Sequence, residues 1–475
     1  MPSEHRIEQD FLGHKQIPAE AYWGVHTARA VENFPISGTP VSAMPELIRA
    51  FGFVKKATAK ANLELGVLES KRAFAIMSAC EKLIDGQYHE QFVVDVIQGG
   101  AGTSTNMNAN EVIANLALER LGFEKGRYDV LHPNDHVNAS QSTNDVYPTA
   151  VRLALWFGID RLLDAMAILR AGFEAKAEEF KDVLKIGRTQ LQDAVPMTLG
   201  QEFSTYAVMI GEDEQRLREA RALIQEINLG ATAIGTGINA PHGYAELACR
   251  HLAEVSGVPV IKSPNLVEAT QDTGAFVQLS GVLKRVATKL SKTCNDLRLL
   301  SSGPQAGFGD IKLPPRQAGS SIMPGKVNPV IPEVMNQVAF EVIGNDMTVT
   351  MASEAGQLQL NAFEPIMGWS LHKSILHLAN ACLTLQAHCV SGIEANHELL
   401  ARRVRESVTL VTALNPIIGY EKAALIAKTA IASGAPIVDV AHTLGIMTRE
   451  QMQALLVPEK LTQPLRLEAI GGKAA

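Results

Sequence analysis

The chain has 475 residues, 46% of them hydrophobic and 20% charged, the balance of a globular protein with room for two or three domains and a large core. A formal net charge of −7 argues against a nucleic-acid surface, so an anionic substrate must be met by local positive groups. Five scattered cysteines with no CxxC pair, no apolar leader after Met1 and no run of about eighteen apolar residues argue against a disulfide framework, a zinc site and a membrane span. The expected setting is the cytoplasm.

Residues 1–140 read as a mixed opening segment. Short apolar pieces punctuated at Gly13 and Pro18 predict loops with a short hairpin. Helical spacing of Leu47, Phe51, Val54, Ala57 and Ala61 then predicts a helix from about Pro45, and a second over Lys71 to Leu83. Glycines 99, 100 and 102 lead into a polar run, Thr103 to Asn110, that is expected to open a helix over Glu111 to Leu121. The Gly-Lys-Ser/Thr of a nucleotide loop is missing there; an anion site made from Thr103 and the helix end fits better. Ser142, Thr143 and Asn144 form a second cluster of small donors at possible helix-cap positions, and capping and ligand binding can share such groups.

Residues 141–397 are predicted to be a central bundle. Three segments carry apolar residues at heptad spacing: Leu155 to Phe173, Phe203 to Ile224, and Phe276 to Leu297. At about thirty residues each they have more apolar stripe than one neighbour covers, which predicts an oligomer. Helices near Pro332–Met351 and Glu364–Cys389 would make five. A polar loop is expected over Gly187 to Pro196, and a Gly/Thr/Asn-rich connection over Gly230 to Pro264. Residues 398–475 are expected to form a small C-terminal helical domain, with a helix over Tyr420–Ser433 and a loose tail at Gly471–Ala475.

The stretch Gly319-Ser320-Ser321-Ile322-Met323-Pro324-Gly325-Lys326-Val327-Asn328-Pro329 is framed by glycine and proline as a loop. It holds two hydroxyls, one ammonium and one carboxamide, and no carboxylic acid. Such a set suits a site that binds a carboxylate and stabilises charge developing on it. The polar loops together offer Thr103, Ser142, Thr143, Asn144, Thr189, Gln190, Ser320, Ser321, Lys326 and Asn328: one cation and many neutral donors, with no metal-spaced cluster and no Ser-His-Asp pattern. A small dicarboxylate is the ligand they suit.

Four loops, GAGTSTNMNANE, QSTNDVYPT, GRTQLQDAVP and GSSIMPGKVNP, resemble in the same order those of the aspartase/fumarase superfamily, and the resemblance covers essentially the whole chain. It implies an all-α, long-helix fold of three domains, a homotetramer with a helical core, and active sites each shared by three subunits. It implies reversible anti elimination to fumarate, with no required cofactor. Carried over by matching position, Ser320 would abstract the Cβ proton, giving an aci-carboxylate. Lys326 and Asn328 would bind the α-carboxylate. Thr103, Ser142, Thr143 and Ser321 would hold the β-carboxylate. Asn144, Thr189 and Gln190 would face the leaving group. Activation by a divalent cation is left open.

Most relatives carry histidine where this chain has Gln190. Glutamine cannot donate a proton as an acid; hydroxide needs that help on leaving, an amine needs less. The strings GVHT at 24–27, STN at 142–144 and GQLQLN at 356–361 also resemble aspartases rather than fumarases. The expected reaction is loss of ammonia from L-aspartate, with a class II fumarate hydratase as the alternative. A non-catalytic scaffold would need a broken loop, yet Ser320, Lys326 and Asn328 are all present. His132, Asn134 and Asp135 match a second anion site of fumarases, or equally a turn with local capping.

Overall fold

A computed structural model describes residues 4–464. The expected tail, Gly471–Ala475, lies outside them, as do the first three residues. The expected opening hairpin is β1 (His5–Asp10) paired antiparallel with β2 (Gly13–Pro18). Helices α1 (Val25–Asn33), α2 (Pro45–Glu64), α3 (Ser70–Ile84) and α4 (Thr103–Arg120) follow. Then come α5 (Thr143–Glu179), the hairpin β3 (Leu184–Thr189) and β4 (Gln192–Thr198), and α6 (Leu199–Leu223). Strand β5 (Glu226–Ile227), α7 (Tyr244–Ser256), strand β6 (Ile261–Lys262) and α8 (Leu266–Ala269) lead to α9 (Gly274–Leu300). Strand β7 (Ile311–Lys312), α10 (Val330–Glu354), α11 (Glu364–His388), strand β8 (Glu394–Ala395) and α12 (His397–Glu406) continue the chain. It closes with α13 (Asn415–Ile418), α14 (Tyr420–Ser433), α15 (Ile437–Thr443), α16 (Arg449–Leu455) and α17 (Pro458–Leu461).

The fold is helical, as expected, with the strands confined to four two-stranded ribbons among the described residues. Three local expectations need correction. The polar run from Thr103 is not a lead-in; it is the first half of α4. Asparagine is a poor helix former, but here its side chains are spent on tertiary partners: Asn106 on Thr143, Asn108 on the Gln91 carbonyl and Asn110 on Asn138. The 187–196 loop is a β-hairpin, β3 with β4. The 230–264 connection contains a 13-residue helix, α7, which packs on α2.

The chain divides into two compact units, and each of the five long helices gives residues to both. The first takes in the chain up to Asp164, Asp213–Thr288 and Val338–Ala379. In it α2 packs on α3 and α7, and Val151 of α5 meets Gly368 of α11, where a Cβ would lie 3.3 Å from the valine. The second takes in Ala165–Glu212, Lys289–Gln337 and the chain from Asn380 on. Its bundle part is filled by Phe173 of α5 and Phe180, just past its end, against Phe203 and Tyr206 of α6, with edge-to-face ring pairs. A smaller core of Val404, Leu410, Leu414, Ile426, Ile437 and Val440 includes Ile186 of β3, so the C-terminal helices are anchored on that hairpin. Among the described residues no single helix is long and apolar enough to cross a membrane.

Candidate active site

In the first unit, three successive residues ahead of α4 are left-handed: Gly100 (φ 90°), Ala101 (φ 57°) and Gly102 (φ 89°). At Gly102 glycine is required twice over, since a Cβ would also lie 2.3 Å from the Tyr147 ring. This turn starts α4 at Thr103, whose exposed hydroxyl donates to the Gly100 carbonyl at 2.7 Å. The first turn of α4 carries no acidic residue, which leaves its positive end open to an anion.

Asn106, one turn on, donates through Nδ2 to Thr143 Oγ1 at 3.0 Å. The Thr143 hydroxyl therefore accepts from the protein and keeps its own proton for a ligand. Ser142 Oγ accepts the Asn144 N–H at 3.3 Å and is left in the same condition. Asn144 donates through Nδ2 to the Ala233 carbonyl at 2.8 Å, which leaves its Oδ1 as an acceptor suited to an ammonium.

Beneath these donors lies a buried polar layer that the sequence reading missed. Asp145 is fully buried and accepts the Gly230 and Thr232 N–H groups at 3.0 Å each. Lys55 is also fully buried; its Nζ donates to Asn138 Oδ1 and Gln141 Oε1, both at 2.9 Å. Asn138 Oδ1 in turn accepts from Asn106 and Asn110 at 3.2 Å. Burial pushes the lysine down to about 7 and the aspartate up to about 6, the latter against three backbone N–H donors and the lysine itself. The sequence offered only a faint signal, Lys55 between Phe51 and Ala59 at helical spacing; its partners lie more than eighty residues away and give none.

In the second unit, Thr189 pairs with Gln192, so Gln190 and Leu191 form a two-residue hairpin turn. Both have positive φ, 55° and 63°, the geometry of a type I′ turn that normally asks for Asn-Gly. One residue before it, Arg188 donates to Asp310 at 2.7 Å. Asp310 is fully buried and also meets Lys185 at 3.2 Å and Arg403 at 2.6 Å, while Lys185 reaches Glu202 at 2.5 Å. The Arg188 guanidinium stands 4.2 Å over the Phe308 ring. The Asp310 hub thus joins the β3–β4 hairpin to the segment that leads into the 319–329 loop and to α12.

That loop is closed at its neck. Gly319 N donates to the Lys326 carbonyl and Asn328 Nδ2 to the Gly319 carbonyl, both at 2.8 Å. A Cβ on Gly319 would lie 2.6 Å from the Lys326 carbonyl oxygen, so only glycine fits the neck. Within the loop, Ser320 Oγ accepts the N–H groups of Ile322 at 3.2 Å and Met323 at 3.0 Å. The side chains of Ser321 and Lys326 are exposed and make no hydrogen bond or ion pair among the described residues. Ser320, Met323, Lys326 and Val327 border a cavity of about 410 Å³.

The ten residues singled out from sequence therefore fall in two groups. Thr103, Ser142, Thr143 and Asn144 belong to the first unit; Thr189, Gln190, Ser320, Ser321, Lys326 and Asn328 belong to the second. Within the first, Asn106 links the start of α4 to Thr143; within the second, one loop carries four of the six. His132, outside both groups, accepts the Asn134 and Asp135 N–H groups at 3.1 and 3.3 Å through Nδ1, which is the local capping the turn suggested.

A lyase family profile matches residues 13–344, and a fumarase C C-terminal profile matches residues 410–463. The chain belongs to the aspartase/fumarase superfamily. Within the superfamily it is similar to the aspartate ammonia-lyase of Helicobacter pylori, 56% identical over 459 residues that span 97% of this chain and 98% of the relative. The aspartate ammonia-lyase of Pseudomonas aeruginosa is 57% identical over 460 residues, 97% of each chain. Among superfamily members of known structure, a fumarate lyase:delta crystallin from Brucella melitensis aligns with a TM-score of 0.95 at 56% identity, covering 97% of this chain and 100% of that one.

Proposed function

We propose that the chain removes ammonia from L-aspartate to give fumarate, by reversible anti elimination. The choice of aspartate rests on one observation: the full-length similarity, at 56–57% identity, to two aspartate ammonia-lyases. The geometry agrees with it. Ser320 takes the Cβ proton as its alkoxide, which the Ile322 and Met323 N–H groups stabilise. The C–H electron pair moves into the adjacent carboxylate, held by Thr103, Ser142, Thr143 and Ser321, to form an aci-carboxylate. It returns to make the double bond as the C–N bond breaks, and ammonia departs with its electron pair. The free ammonium of Lys326, with Asn328, holds the α-carboxylate. Asn144 Oδ1, Thr189 and Gln190 receive the amine, which leaves without an acid catalyst. Glutamine at position 190 is consistent with that.

The working form we propose is a cytoplasmic homotetramer with sites shared among three subunits. Two features support it: the assigned residues fall in separate units of one chain, and α10 carries an uncovered apolar stripe of Phe340, Ile343, Met347 and Met351, 40–64% exposed. The test is ultraviolet detection of fumarate with L-aspartate in one cuvette and L-malate in another. Fumarate from aspartate, with ammonia in equal amount, is the expected result; fumarate from malate alone would replace the proposal with a hydratase.

A further inference from the structure

The 319–329 loop borders a second cavity, of about 560 Å³, which Ser320 and Ser321 do not line. Its walls come from the end of α9, the 301–316 segment and Gly325–Pro332. Four cations line it: Arg298, Lys312, Arg316 and Lys326, with His388 beside them. No aspartate or glutamate lines it.

None of these four cations is neutralised by the protein among the described residues. Arg298 donates only to amide oxygens, Asn336 Oδ1 at 3.1 Å and Asn295 Oδ1 at 3.5 Å. Arg316 donates only to backbone carbonyls, His388 at 2.7 Å and Ala387 at 3.2 Å. Lys312 and Lys326 make no side-chain hydrogen bond or ion pair there. The contrast is with the same unit's other cationic cluster, where Lys185, Arg188 and Arg403 surround the buried Asp310. In a chain with 50 acidic and 43 basic residues, four like charges left around one cavity repel one another until an anion joins them.

We infer that this cavity binds a small multivalent anion, carboxylate- or phosphate-bearing. Its volume lies in the range of metabolite pockets, roughly 300–1,000 Å³. The two guanidiniums offer forked donors, and Lys312 and Lys326 add point charges. The cavity shares only Lys326 and Asn328 with the proposed substrate site; Lys312, Arg298 and Arg316 do not border the Ser320 cavity and belong to the second site alone. Its occupancy can be measured without substrate, so failure here and failure of the lyase reading are separate outcomes.

The experiment is isothermal titration of the full-length protein with inorganic pyrophosphate and, separately, with tricarballylate, at ionic strength fixed by sodium chloride. Saturable binding of one anion per chain is expected. Lys312→Gln should weaken it about ten-fold, the loss of one charge-assisted contact. The stronger of the two anions tells whether phosphate or carboxylate is the preferred chemistry. No binding of either anion above the chloride background, or equal affinity in the wild-type and Lys312→Gln proteins, overturns the inference.

Discussion

A hydroxyl is a feeble base until something stabilises its anion. In the proposed mechanism that work falls, at Ser320, to two backbone N–H groups of its own loop. Ser320→Ala should therefore cut turnover about a thousand-fold while leaving the fold untouched. Fumarate absorbance checks the first half and an unchanged melting temperature the second; residual activity within a few fold of wild type would remove Ser320 from the base role. Residues of this kind were legible because their types are odd for a core and their order is that of a known family. Lys55 was not. Its role depends on Asn138 and Gln141, more than eighty residues away in sequence, and burial of that lysine only becomes visible once α2 is placed.

The β3–β4 hairpin shows what periodicity hides. Long helices announce themselves by heptads, and α5, α6 and α9 lie where the spacing put them. A short ribbon announces itself by its turn residues, and Gln190-Leu191 is not an Asn-Gly. A left-handed conformation costs a branched residue roughly 1–2 kcal/mol. Leu191→Gly should accordingly raise stability by about 1 kcal/mol, read as a higher melting temperature; an unchanged or lower value would mean the turn is not strained. The hub behind the hairpin works in the opposite sense. Asp310→Asn would leave Lys185, Arg188 and Arg403 without their shared counter-ion, at about 3–5 kcal/mol in denaturant titration. Burial pushes the Asp310 carboxyl up, but Arg188 and Lys185 outweigh it and hold it below its ordinary 3.8. The unfolded chain therefore takes up this proton first as pH falls below that value, and the stability Asp310 contributes is lost on the way down. In Asp310→Asn that part of the acid limb should be missing.

At the scale of the whole molecule, the stripe on α10 has too much apolar area for a helix face left in water. Met347, 61% exposed at its centre, is the position to probe. Met347→Lys should break the proposed tetramer into smaller species, seen by size-exclusion chromatography with light scattering, and should take lyase activity with it. An intact tetramer would place the interface elsewhere. Helix length alone already pointed to the proposed oligomer, whereas the division of the assigned residues between two units could not be read, because it depends on which stretches of the long helices pack together. The placement of the cysteines adds a consequence of its own. All five thiols are buried, and burial lifts Cys80, Cys382 and Cys389 up to about 12, so a maleimide finds no reactive sulfur in the closed protein. Cys80 and Cys249 sit in the first unit and Cys294, Cys382 and Cys389 in the second. Each unit thus carries its own stopwatch: the order in which peptides gain the label on warming records which of them breathes first.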